Sequence, residues 1–149
     1  MGERMVRLEG LPGDTRPRVS ATHTYMPRAY VEWKRAAVAV LAEAGLMRHD
    51  GPVAVELMVV IGRPLAPPLR AGAGRAPHVG RPDVDNVAKG VLDALTEAGV
   101  VIDDKQVAEL VVRRVWGEVR PHAPSCARDA RERSGCEVRV RAIGGGHDR

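Results

Sequence analysis

Val53, Val55, Leu57, Val59 and Ile61 occupy every second position over nine residues, the period of a strand whose two faces differ. A shorter alternation, Met5-Val6-Arg7-Leu8-Glu9, predicts a first strand ended by Gly10 and Pro12. Between them the period changes. Tyr30, Trp33, Ala37, Val40, Leu41 and Ala44 recur at helical spacing after Pro27 and stop at Gly45, which predicts a helix over Arg28 to Ala44. A second apolar stripe, Val87, Ala88, Val91, Leu92, Leu95 and Ala98, predicts a helix over Asp85 to Ala98, with Asp83 or Asp85 as its cap and Gly99 as its stop. The β-branched residues of Val107 to Trp116 read as a further strand. Cys136, Val138, Val140 and Ala142 alternate with Glu137, Arg139 and Arg141 in a last one.

The order is therefore β-α-β-α-β-β without an internal repeat. It predicts a single α+β domain over residues 1–143, with two helices packed on a small mixed sheet and a flexible tail at 144–149. Gly13 to Met26 is polar and rich in turn residues, so it is expected to be a loop exposing Arg16, Arg18, His23 and Tyr25. Gly62 to Pro82 and Gly117 to Ser134 are long, arginine-bearing connections, and loops of that length are commonly functional or disordered.

Composition narrows the classes of function. At 149 residues, a chain of this size buries roughly 70% of its unfolded surface without needing disulfide or metal staples. No apolar stretch approaches the about 20 residues of a membrane span. Met1-Gly2-Glu3-Arg4 opens no signal-peptide pattern, and two cysteines make no disulfide framework, so the expected setting is the reducing cytoplasm. Aromatic residues make up 3% of the chain and Phe is absent, which disfavours single-strand binding by rows of stacked bases. Net charge is +4, and Arg outnumbers Lys by 20 to 3. That balance permits a nucleic-acid partner, although a GC-rich genome would produce the same arginine bias.

The placement of charge says more than its sum. Six acids and one base between Asp83 and Asp104 leave that stretch at −5, so the rest of the chain stands at +9. Asp83 and Asp85, two apart just before a helix, suit convergence on a hard divalent cation such as Mg²⁺ or Mn²⁺. Lys89, four residues beyond Asp85, would lie beside them where a phosphate oxyanion binds. Each feature taken singly has a plainer account: Asp83 and Asp85 as helix caps, Lys89 as an ion-pair partner of Asp85 and Asp93, Asp103-Asp104 as a turn. Together, beside basic loops, they favour a metal-dependent phosphodiester site. A helix from Asp85 to Ala98 is about 20 Å long, and five steps from Gly99 to Asp104 span at most about 17 Å. Asp104 therefore returns to Asp85 only by a tight reversal at Gly99. The alternative is a two-fold dimer with these helices antiparallel, sharing the site between subunits.

The run Arg81-Pro82-Asp83-Val84-Asp85-Asn86-Val87-Ala88-Lys89, with Leu92-Asp93-Ala94-Leu95 and Asp103-Asp104-Lys105-Gln106-Val107, resembles the RusA-like Holliday-junction resolvases of bacteria and their phages. The likeness is dense over Arg81 to Val107 and looser elsewhere. It implies an α+β fold and a homodimeric endonuclease that binds four-way DNA junctions. It also implies a need for Mg²⁺, with Mn²⁺ as substitute, and symmetric nicking of two opposed strands in recombination and repair. Asp83, Asp85 and Asp104 would be the metal-binding and catalytic carboxylates, Lys89 the catalytic lysine, and Asp103 a supporting acid, with dimerisation needed to build the metal site. Arg16, Arg18, Arg70, Arg75, Arg81 and Arg120 are the expected phosphate contacts. The two long connections depart from the family pattern. Two other readings use the same residues: a flap or fork nuclease, and a non-catalytic protein that clamps junctions. A third, a zinc site, would draw on His122, Cys126 and Cys136, at irregular spacing and without an evident fourth ligand.

Overall fold

The computed structural model describes residues 4–64, 72–121 and 131–144. Its main sheet holds strands β1 (Val6–Glu9), β4 (Val53–Ile61), β5 (Val107–Trp116) and β6 (Gly135–Ala142), in the order β1-β6-β4-β5. Helix α1 (Arg28–Glu43) precedes β4, and helix α2 (Val84–Glu97) joins β4 to β5. Because α2 carries the chain back along the sheet, β4 and β5 are parallel, whereas β6 runs antiparallel to both β4 and β1. The result is the small mixed sheet with two helices that the periodicities predict.

Val53, Val55, Leu57 and Val59 share one face of β4, each no more than 3% exposed. Against them pack Tyr30, Trp33, Ala37 and Leu41 of α1, Val87, Val91, Ala94 and Leu95 of α2, and Val138 and Val140 of β6. Cys136 belongs to the same core, where burial pushes its thiol up to about 12. A neutral thiol inside the core is a poor zinc ligand; His122 and Cys126, the other two in that reading, lie outside the described residues.

The polar face of the sheet is tied by ion pairs instead: Arg139 to Glu56 at 3.6 Å, and Arg141 to Glu109 at 3.3 Å. Arg75 reaches this face too, with its guanidinium donating to both Glu132 and Glu137.

One expectation needs correction. Residues 13–26 are not purely loop, because β2 (Arg18–Val19) and β3 (Thr24–Tyr25) form a short antiparallel hairpin. Its turn is closed locally: Ser20 Oγ donates to the His23 carbonyl at 3.0 Å and accepts from the His23 N–H at 3.1 Å. A two-residue strand exposed on both faces has no alternation of burial to betray it. Of the predicted tail 144–149, only Gly144 lies within the described residues.

Candidate nucleic-acid cleavage site

Asp83 occupies the N-cap position of α2 with extended backbone, yet its side chain makes no capping hydrogen bond. Asp85 sits in the first turn, exposed, and among the described residues neither carboxylate enters a hydrogen bond or ion pair. Capping therefore does not account for the pair. Two unengaged carboxylates at a helix N-terminus are held there by the helix dipole while their oxygens stay available to a ligand.

The chain around them is fastened by neighbours. Arg114 of β5 donates through Nη1 to the Pro82 carbonyl and through Nε to the His78 carbonyl, which ties the cis Arg81–Pro82 approach to the sheet. Asn86 fastens the other side. Its Oδ1 accepts from the backbone and hydroxyl of Thr15, at 3.2 and 2.6 Å, and its Nδ2 donates to the Gly13 carbonyl at 3.0 Å. Gly90 lets that loop lie flat on α2, since a Cβ there would stand 2.8 Å from Pro12 Cβ. An open cleft of about 700 Å³ results, lined by Arg16, Arg18, Arg81, Asp83 and Asn86. Arg18 also approaches Asp14, at 3.9 Å.

At the other end of α2, Gly99 adopts φ +77°, and Val100 N–H closes on the Leu95 carbonyl at 3.0 Å. This is the tight reversal that the reach argument requires. It buries Val100 and Val101 and lays Ile102, Asp103 and Asp104 back along α2. There they line a second open cleft, of about 570 Å³, with Lys89, Asp93, Thr96, Tyr30 and Lys34. The reversal thus returns Asp104 to the middle of α2. Asp83 lines the other cleft, and among the described residues no three His, Cys, Asp or Glu side chains gather closely enough to hold a metal ion.

Asp104 begins a 3₁₀ turn (Asp104–Gln106) capped by Asp103, whose carboxylate accepts from Lys105 N–H at 2.9 Å. That bond, with a further one from Asp104, holds Asp103 below the usual carboxylate range. The shared hydrogen bond with Asp103 and the charges of Asp103 and Asp93 hold Asp104 above it. Gln106 secures the turn. Its Oε1 accepts from the Ile102 and Asp103 N–H groups at 2.6 and 3.2 Å, and its Nε2 donates to the His49 and Gly51 carbonyls at 2.9 and 2.8 Å.

Lys89 forms no ion pair with Asp85 or Asp93 among the described residues. Asp93 instead accepts the hydroxyl of buried Tyr30 at 2.6 Å, and Lys34 pairs with Glu97 at 3.1 Å. Burial and the bond to Asp93 raise the Tyr30 phenol well above its ordinary value, so it remains a donor. The Lys89 ammonium is thereby left at the cleft with its charge uncommitted.

Of the six expected phosphate contacts, Arg16, Arg18 and Arg81 share the Asp83 cleft. Arg75 is committed to Glu132 and Glu137, and Arg120 lines a separate cleft with Arg7, Glu9 and Arg131. Arg70 lies outside the described residues. Sequence reasoning missed Thr15, Asn86, Gly90, Gln106 and Arg114 as the residues that hold the acids in place. Two of them carried a signal: a glycine inside a helical stripe, and an asparagine directly after D-x-D.

The model for Endodeoxyribonuclease RusA matches residues 9–123, well over half of the chain and all of the acidic segment. No curated protein matches the chain. The fold, the acid pair at the head of α2 and the family match agree, and the chain belongs to the RusA endodeoxyribonuclease family.

Proposed function

We propose that this chain is a Mg²⁺-dependent endonuclease of four-way DNA junctions, acting as a homodimer that nicks two opposed strands symmetrically. The observation that carries the reading is the state of Asp83 and Asp85: two exposed carboxylates two residues apart at a helix head, without hydrogen bonds among the described residues, with Arg16, Arg18 and Arg81 in the cleft Asp83 lines. Hard oxygen donors of this kind suit Mg²⁺ or Mn²⁺, and Asp83, Asp85 and Asp104 would hold the ion. When bound, it would polarise the scissile phosphate and lower the pKa of an attacking water. Since no three such acids gather closely enough for an ion among the described residues of one chain, the third carboxylate would come from the other subunit.

The chain's own groups supply the rest. Lys89, which lines the Asp104 cleft, would offset charge building on the phosphate in the transition state. Asp93 accepts the Tyr30 hydroxyl and forms no ion pair with Lys89 among the described residues. Arg16, Arg18 and Arg81 would track phosphates flanking the cut, which makes affinity fall steeply with salt. The dyad of a homodimer matches the near-symmetry of a junction and accounts for paired cuts.

Two experiments test the proposal. A synthetic four-way junction, a flap and a plain duplex are incubated with and without Mg²⁺, and nicks are mapped on every strand. Symmetric Mg²⁺-dependent nicks on the junction are expected; cleavage of the flap alone, or binding without nicking, overturns the reading. Inactive Asp85→Asn and Asp104→Asn proteins are then mixed. Regained nicking means one intact site forms across subunits, and none after verified exchange means the site is not shared.

A further inference from the structure

The two long arginine-bearing connections are bonded to each other into one lobe. Trp116 N–H donates to the Ala76 carbonyl, Val119 N–H to the Ala73 carbonyl and Glu132 N–H to the Glu118 carbonyl, each at 2.8 Å. The Glu132 carboxylate ties the lobe to the sheet. It accepts from Arg7 Nη1 at 3.3 Å, from Arg75 Nε at 3.1 Å and from Glu118 N–H at 2.9 Å. Two glycines let the segments lie flush: a Cβ on Gly117 would stand 2.8 Å from the Glu132 carbonyl oxygen, and one on Gly135 would stand 2.7 Å from the Arg7 guanidinium. Residues 131–134 lie beyond the 9–123 matched to the family model.

This lobe walls an open cleft of about 470 Å³, lined by Arg7, Glu9, Arg120, Arg131, Glu132 and Arg133. Four arginines meet two acids there, and both acids are already paired. Glu9 pairs with Arg7 at 3.3 Å, and Glu132 with Arg7 and Arg75. Arg120 and Arg133 are exposed, and among the described residues their side chains enter no hydrogen bond or ion pair. The fold thus spends Arg7 on its own acids and leaves two guanidiniums over in a concave surface. A guanidinium presents a planar fork of N–H donors that matches a phosphate. We propose that Arg120 and Arg133 bind backbone phosphates of a DNA arm, at a second contact apart from the acids at the head of α2.

The position of the cleft is what points to DNA. Glu9 lines it, and Pro12, three residues on, lines the Asp83 cleft, at most about 11 Å away along the chain. With the widths of the clefts added, their centres lie about 20 Å apart, which one strand of a duplex covers in about six nucleotides at ~3.4 Å each. Resting on the proposed nuclease reading, a strand held at Asp83 by Arg16, Arg18 and Arg81 runs on past Gly10 and Leu11 to Arg120 and Arg133. The lobe then fixes the direction in which an arm leaves the acid site.

The test titrates the full chain against a labelled four-way junction over a series of salt concentrations, without divalent metal. The double variant Arg120→Ala/Arg133→Ala should bind at least about fivefold more weakly, with a salt slope shallower by about two units. Arg120→Lys/Arg133→Lys keeps both charges and should recover the slope. Arg35→Ala removes an exposed arginine of α1 that is likewise unpaired among the described residues, and should leave the slope unchanged. Neutral methylphosphonates are then placed singly along the arms. They should weaken the wild type at one or two positions, about six nucleotides from the nick, and leave the double alanine variant unaffected there. An unchanged slope in that variant, an equal fall with Arg35→Ala, or methylphosphonate losses shared by both proteins at every position overturns the phosphate site. Binding that meets these expectations in a protein that never nicks in Mg²⁺ overturns the nuclease reading and leaves the site standing. Nicking by a protein whose slope ignores the double substitution does the reverse.

Discussion

The two ends of α2 carry acids of the same kind in opposite circumstances. At the head, Asp83 and Asp85 make no hydrogen bond, and the local structure is held by other residues, Arg114 and Asn86. At the tail, Asp103 caps a 3₁₀ turn and bonds to Asp104, while Gln106 fills all four of its amide's hydrogen-bonding roles. Structural need accounts for Asp103. It does not account for Asp83 or Asp85. An acid that returns no bond to the fold is the one to examine for function.

Substitutions that remove charge without volume break this comparison most severely. Asp85→Asn should lower junction nicking by at least about a thousandfold, as expected for losing direct stabilisation of the reacting group, with junction binding retained in a gel-shift assay. Its melting temperature should stay within a degree or two of wild type, because the carboxylate makes no bond in the fold. Normal cleavage by this variant in Mg²⁺ would remove Asp85 from the site. Gln106→Ala should behave the opposite way. Losing bonds to two N–H and two C=O groups should cost about 2–4 kcal/mol by denaturant unfolding, with reduced nicking as the turn loosens.

Gly90→Ala probes the head from a third side. The added methyl meets Pro12 and should cost about 1–3 kcal/mol, read as a lower urea midpoint at unchanged slope. Acidity separates the ends more gently. The bond from Asp104 to Asp103 holds the Asp104 carboxyl above its usual range, so Asp104 takes up a proton earlier than an ordinary Asp as the pH falls. A protonated carboxyl is a poor metal ligand, so single-turnover nicking should decline on the acid side. Asp103→Asn removes the neighbouring charge, lowers the Asp104 pKa and should move that acid limb downward. An unmoved limb would mean that Asp104 does not set it. The smallest effect is expected from Arg16→Ala: binding a few-fold weaker, with a salt slope shallower by about one unit.

Much of this arrangement could be read from spacing. The alternation at 53–61 and the β-branched run at 107–116 mark β4 and β5 at their observed bounds. Helix α2 starts one residue earlier than the apolar stripe suggests, because Asp83 rather than Asp85 takes the cap position. The hairpin at 18–25 escaped notice because it buries neither face. Arg75 reads as a loop cation ready for phosphate; only Glu132 and Glu137, 57 and 62 residues away, commit it to the sheet.

By itself the order of residues determined the elements, the core face of each, and the concentration of acids between Asp83 and Asp104. Those depend on short-range periodicity and composition, which any chain segment carries within itself. Tertiary structure decided which acids are spent on the fold and which are left over, and that the reversal at Gly99 returns Asp104 to the middle of α2, in a cleft other than the one Asp83 lines. Such outcomes turn on hydrogen bonds between residues tens of positions apart, and these exist only once the sheet and helices have packed.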